Sequence, residues 1–177
     1  RNEEAHIGRC VRAALAADWP GRLEVVVVDD RSTDRTGEIL REIGAADPRL
    51  KVVEGRDPGE GWLGKPHALH IAQAEATGDW LMFVDADVTL APDGPRKLVA
   101  RVIKDQATMA SVLGSLEVQT FWERVIQTRI AAVIAAGNPM DEVNDPERPD
   151  RALANGQCLL FTRETYDSMD GHMAVQS

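Results

Sequence analysis

Trp80-Leu81-Met82-Phe83-Val84-Asp85-Ala86-Asp87 is an apolar run of strand length that stops in two carboxylates, one residue apart. It follows Gly78-Asp79, a turn signal, and reads as a buried strand over 80–84. Core packing gives no reason for paired acids at its end. A strand that reaches water and turns explains a lone Asp better than it explains two. Two hard oxygen donors there can hold a divalent cation against a phosphate. In open α/β sheets, ligands bind outside the carboxyl ends of the strands.

Helix and strand patterns alternate on both sides of this segment. Ile7, Cys10, Val11, Ala14 and Leu15 recur at helical spacing behind Asn2, the expected N-cap. Residues 23–28 are a β-branched run ending in Asp29-Asp30 and read as a second buried strand. The spacing predicts helices over 34–44, 66–77, 92–104 and 122–136, and a short one from Arg163. Further strands are predicted over 50–53, 107–112 and 158–162. Ile39, Leu40 and Ile43 should face inward on one helix, and Leu98, Val99, Val102 and Ile103 on another. In the helix over 122–136, the Trp122, Val125, Ile126, Ile130, Val133 and Ile134 face reads as core, with a membrane surface as the alternative. Residues 138–151 are rich in Pro, Asp and Glu and read as a mobile loop. The alternation predicts an α/β layer fold with a mainly parallel sheet.

The 177 residues suffice for one domain with a real core, and 44% hydrophobic with 28% charged content is ordinary for a globular chain. The net charge of −9, from 29 acids against 20 bases, argues against nucleic acid as a partner. Cys10 and Cys158 are far apart and lack CxxC spacing, so neither a zinc site nor a disulfide framework is expected, and a reducing compartment is. No apolar stretch approaches the ~18 residues of a spanning helix. The sequence opens at Arg1-Asn2-Glu3-Glu4 without an initiator Met and stops at Ser177 without a terminating element. A piece of a longer protein is the expectation.

Three segments carry the chemistry. Asp29-Asp30-Arg31-Ser32-Thr33-Asp34 ends a strand. Asp30 can accept from a base or ribose there, and Ser32, Thr33 or Asp34 can cap the next helix. Residues 55–66 are glycine-rich and lead into a helix N-terminus, which offers backbone N–H groups to anions, with Lys65 adding a full charge. The Walker pattern fails at Pro66. Trp62 can stack on a ring or cover the core. Asp85-Ala86-Asp87 completes the set, with Asp87 the direct metal ligand. His6 gives no signal. His67, His70 and His172 fall on different elements and read as helix-surface or loop residues.

Together these residues resemble the family 2 glycosyltransferases, inverting enzymes of the GT-A fold. The matching pieces are residues 1–4, Val-Val-Asp-Asp-Arg-Ser-Thr-Asp at 27–34, Gly-Trp-Leu-Gly-Lys-Pro-His-Ala-Leu at 61–69 and Gly-Asp-Trp-Leu-Met-Phe-Val-Asp-Ala-Asp at 78–87. Order and spacing match over roughly residues 1–95. The Gly-Trp-Leu-Gly-Lys segment looks most like the hopanoid- and carotenoid-associated subgroup, whose acceptors are lipid or isoprenoid. The resemblance implies a nucleotide-diphospho-sugar donor, a UDP-sugar above all, and Mg²⁺ or Mn²⁺. It implies that Glu3 and Lys65 lie by the nucleotide, Asp30 by the uracil, Asp85 by ribose and metal, and Asp87 on the metal. Asn155-Gly156 resembles a small-residue segment behind the acceptor pocket. Asp170-Gly171-His172 resembles a Gly-Gly-His stretch, with Asp170 in place of the first Gly.

On this reading residues 1–177 are one partial catalytic domain: a nucleotide-sugar half over 1–95 and the start of an acceptor half over 96–177. The family's first strand would precede Arg1. An inverting transfer needs a carboxylate base for the acceptor hydroxyl, and the family's Glu-Asp pair is expected after Ser177. The expected location is the cytoplasm, at the inner face of the cell membrane if the acceptor is a lipid. Two alternatives stand beside this one. A GT-A-like domain can bind a nucleotide, or act as a scaffold, without catalysis. A haloacid-dehalogenase-type phosphotransferase would use Asp85 as nucleophile in Asp85-Ala86-Asp87-Val88-Thr89. Its motif, however, belongs near the start of the fold, and no later Gly-Asp-x-x-x-Asp follows.

Overall fold

The computed structural model describes residues 1–115, 117–145 and 147–175. β1 (Val25–Asp29) and β2 (Leu50–Glu54) pair in parallel, with Val25 opposite Leu50, and α2 (Thr36–Ala46) makes the crossover. A second sheet has the order β3-β5-β4, from β3 (Trp80–Val84), β4 (Met109–Ser111) and β5 (Cys158–Thr162). The parallel pairing expected from the sequence is found in the first sheet. The second is antiparallel, because the chain leaves β4 on a long excursion and re-enters through β5 against both neighbours.

The two sheets are aligned without being joined. At the amino ends of β1 and β3, Glu24 Oε1 accepts the N–H groups of Thr77 and Gly78 at 2.6 and 3.0 Å and the Thr77 hydroxyl at 2.8 Å. At the carboxyl ends, α3 (Gly64–Glu75) spans both strands. Its Lys65 meets Asp85 at 2.5 Å, and its Gly64 lies against Asp30. β1 and β3 therefore run side by side in one direction. Val25 N–H donates to Arg49 O and Gly55 N–H to Asp29 O, so the alternate residues Val26 and Val28 turn their backbone groups toward β3. Arg163 N–H to Asp79 O and Asp85 N–H to Gln157 O set the opposite phase on β3, whose Trp80, Met82 and Val84 turn toward β1. Among the described residues no backbone hydrogen bond joins the two strands. An apolar cleft of about 730 Å³ lies between them. Every residue of β1 is accordingly only half-buried, although four consecutive valines read as fully buried. The strand that the resemblance sets ahead of Arg1 lies outside the described residues.

Helices cover both sheets. α1 (Ile7–Leu15) and α2 bury Ile7, Val11, Leu15, Leu40 and Ile43 with Leu50 against Val25, Val27 and Val52. Alternation along β3 sends Leu81 and Phe83 to one face, with Phe161, Leu69 of α3 and Tyr166 of α7 (Arg163–Ser168). Trp80 and Met82 go to the other face, with Val99 and Val102 of α4 (Gly94–Lys104) and Leu160.

Several expectations are corrected. Asn2 does not cap α1, which starts after His6 with no side-chain cap; its carboxamide accepts Thr33 N–H at 2.8 Å instead. Ile103 is 62% exposed, because the buried stripe of α4 runs through Val99 and Val102, and Ile103 lies one step beyond it. The expected loop over 138–151 contains α6 (Met140–Val143) and a 3-10 turn at Pro149–Arg151. The core reading of the 122–136 face also fails: α5 (Phe121–Gly137) buries no residue.

Candidate functional site

Asp30 follows β1 directly, in a loop held by the chain's first residues. Asn2 N–H donates to Ser32 Oγ at 3.0 Å, Glu3 N–H to Thr36 Oγ1 at 2.8 Å and Glu4 N–H to Asp34 Oδ2 at 3.1 Å. Asp34 Oδ1 in turn accepts Thr36 N–H at 3.0 Å, so Asp34 satisfies the start of α2. This zipper brings half-buried Glu3 beside the carboxyl end of β1. Arg31 Nε donates to Asp30 at 3.1 Å, and its guanidinium also pairs with Asp57 of the glycine-rich loop. Gly55 permits that loop to fold back, since a Cβ there would sit 2.7 Å from Asp30 Cα.

The glycine-rich loop delivers Lys65 in the first turn of α3, where it forms the 2.5 Å ion pair with Asp85. Asp85 is fixed by its backbone, which donates to Gln157 O at 2.9 Å and accepts Val88 N–H at 3.0 Å. Asp87 is exposed and, among the described residues, has neither a hydrogen bond nor an ion pair. The β3–β5 pairing also brings Asn155 and Gly156 to this end of the sheet. Asn155 Oδ1 accepts Gln157 N–H at 3.0 Å, its own N–H donates to Ser111 Oγ at 2.6 Å, and the space around Gly156 is open.

Glu3, Asp30, Lys65, Asp85, Asp87, Asn155 and Gly156 thus gather at one end of the aligned strands. No cluster of three or more His, Cys, Asp or Glu side chains forms a ready metal cage among the described residues. Asp85 and Asp87 do supply hard oxygens. Mg²⁺ is commonly held by one or two carboxylates plus substrate phosphates, and this donor set fits that pattern.

Two features were not legible in the sequence. Both cysteines flank Asp85: Cys10 Sγ lies 3.6 Å from its carbonyl. Burial, with Asp87 and Asp85 nearby, pushes the Cys10 thiol up to about 11, and burial with Asp85 raises that of Cys158. Both are free, and the raised values keep them as thiols near neutral pH. The second feature is His172, read above as a surface or loop residue. It is half-buried against Phe83, at a ring distance of 5.0 Å, and its Nδ1 lies 2.5 Å from the buried Tyr166 hydroxyl. Burial, then His70 and Lys65, hold its imidazole below the ordinary value. Trp62 stacks on His70 at 5.2 Å.

Comparison with known proteins follows the same geometry. The model of the family described as "Glycosyl transferase family 2" matches residues 1–168. A beta-monoglucosyldiacylglycerol synthase from Synechocystis is 38% identical over 70% of this chain and 26% of its own length. A 4,4'-diaponeurosporenoate glycosyltransferase from Staphylococcus aureus is 29% identical over 99% of this chain and 45% of its own. The chain therefore spans less than half the length of these relatives. Among solved structures, the mannosyltransferase PcManGT from Pyrobaculum calidifontis, in complex with GDP-Man and Mn²⁺, has a TM-score of 0.66. It is 24% identical, and the match covers 93% of this chain and 43% of that one. Staphylococcus aureus TarS 1-349, in complex with UDP-GlcNAc, has a TM-score of 0.51 at 27% identity, over 69% of this chain and 36% of that one. The fold is GT-A, and the chain belongs to glycosyl transferase family 2.

Proposed function

We propose that this chain forms the nucleotide-sugar half and the start of the acceptor half of a metal-dependent, inverting glycosyltransferase that moves a sugar from a UDP-sugar to a hydroxyl acceptor. The supporting observation is the convergence of Asp30, Lys65, Asp85 and Asp87 at the carboxyl ends of β1 and β3. Asp30 accepts from the uracil, and Glu3 lies beside the nucleotide. Lys65, already paired with Asp85, turns its ammonium to the diphosphate when that anion arrives. Asp85 serves ribose and metal, and exposed Asp87 serves the metal directly. A bound Mg²⁺ or Mn²⁺ would neutralise charge on the departing nucleotide. Asn155 and Gly156 border the acceptor side. No general base is assigned within this chain; Asp170 is a turn residue at φ 57° and a poor candidate for that part.

A lipid or isoprenoid acceptor is the finer form of this proposal. The names of the two relatives support it, as does the exposed apolar face of α5, with Trp122 69% and Val133 73% accessible. The inner face of the cell membrane is the matching location. No helix among the described residues is long and apolar enough to cross a membrane.

The test uses the full-length protein, UDP-sugars and Mn²⁺, with NMR reading the anomeric configuration of the product. Asp87→Ala should abolish metal-dependent turnover and leave the thermal midpoint unchanged. Full activity in that variant removes the metal assignment. Nucleotide binding without turnover by the intact protein supports the non-catalytic alternative. A covalent aspartyl-fluoride adduct at Asp85 supports the phosphotransferase.

A further inference from the structure

Near this site one polar atom has no hydrogen-bond partner among the described residues. Tyr166 is 4% exposed, and its hydroxyl makes two contacts to His172: it accepts the backbone N–H at 3.1 Å and meets Nδ1 at 2.5 Å. With the hydroxyl donating to Nδ1, the neutral ring carries its proton on Nε2. That Nε2–H finds no acceptor among the described residues, and the ring is half-exposed.

We infer that His172 is a further binding residue of this site, presenting Nε2–H to a phosphate oxygen of the nucleotide; the inference rests on the donor-site proposal above.

The position is built, not incidental. Gly171 lies flat on the Tyr166 ring at φ 48°, where a Cβ would come within 2.3 to 2.7 Å of ring and hydroxyl atoms. Only glycine brings the 3-10 turn Gly171–Val175 close enough to set the imidazole on the hydroxyl. Phe83 then packs against the imidazole edge from the strand that carries Asp85 two residues on. An ordinary surface histidine needs none of this support. The neighbours also select the ligand. Lys65 and His70 of α3 are the titratable groups that act on His172. From α7 it faces the Tyr166 hydroxyl, next to Asp167, whose carboxylate is occupied by Gln73 Nε2 at 3.4 Å. A neutral N–H within electrostatic reach of an ammonium that is paired with Asp85 is a donor available to an anion. Lys65 and His172 donating to one diphosphate would follow the usual pattern of charge-assisted recognition.

The test is a proton-detected titration of His172 in the intact full-length protein. Its resonance is assigned through His172→Asn, and Mg²⁺ is present with UDP or with GDP, while calorimetry follows binding in parallel. Bound diphosphate should raise the imidazole pKa by about half a unit or more. His172→Asn keeps the Tyr166 contact but loses the Nε2 donor, and should weaken nucleotide binding about tenfold. His172→Gln places an amide N–H near Nε2 and should recover most of that loss. If a nucleotide binds while the His172 titration stays fixed, or if both variants bind like the parent, His172 is only structural and the donor-site proposal survives. If neither nucleotide binds the intact protein, both proposals fall together.

Discussion

Helices α4 and α5 both carry apolar residues at helical spacing, yet they end differently. α4 buries Val99 and Val102 against Leu160, Trp80 and Met82. α5 is longer, opens with a full capping box between Thr120 and Glu123, and buries nothing. Phe121 and Trp122 meet each other at 5.4 Å in an edge-on pair but stay exposed. Local signals therefore make a helix equally well in both places. What separates them is a sheet face: β3, β4 and β5 offer one to α4, and no described element offers one to α5.

The strongest way to break this comparison is at its packed side. Leu160 is 1% exposed between Val99 and Val102, so Leu160→Ala should cost roughly 2–5 kcal/mol in chemical denaturation. A cost under ~1 kcal/mol would mean that α4 is held no better than α5. Gly171→Ala tests whether the turn after α7 belongs to the packed side as well. Its Cβ would meet the Tyr166 ring at 2.3 Å, so a loss of about 1–3 kcal/mol is expected, along with altered His172 resonances. No change in either would free that turn from the core.

Glu24 tests the strap between the two sheets. Burial works against its carboxylate, but the N–H and hydroxyl of Thr77 and the N–H of Gly78 prevail and hold its pKa below the ordinary 4.5. A depressed folded-state value means a stabilisation that is present above pH 4.5 and is lost as pH falls through the lower folded value. Glu24→Gln should therefore cost about 1 kcal/mol at neutral pH, after solvent screening, and flatten the acid side of the Tm–pH curve. An unchanged curve would show that the strap contributes nothing. The smallest effect belongs to α5: Ile130→Ala should shift stability by less than about 0.5 kcal/mol. A shift comparable to that of Leu160→Ala would show that α5 has a packed face after all.

Much of this was legible in the chain. The strand at 80–84 and the strand at 158–162 are found at their predicted limits, because a short apolar run between turn signals has few other uses. Asp30, Asp85 and Asp87 stood out as candidates because polar residues at the end of an apolar strand contrast with their surroundings, and Lys65 because a glycine-rich loop leads it into a helix N-terminus. Ile103 and the α5 face were misread, because periodicity reports that a face exists and not whether a partner covers it. His172 was read as a surface or loop residue because its support is a glycine and a tyrosine, neither of which advertises a contact.

By itself the sequence determined the order of elements, the acids at the strand ends and the glycines on which tight approaches depend. These are properties of a residue and its near neighbours, fixed by backbone sterics and by apolar alternation. Only the tertiary structure decided that β5 runs antiparallel and brings Gln157 to Asp85, and that His172 rests on Tyr166. Each of these joins residues distant in the chain, through hydrogen bonds and packing that no local pattern encodes.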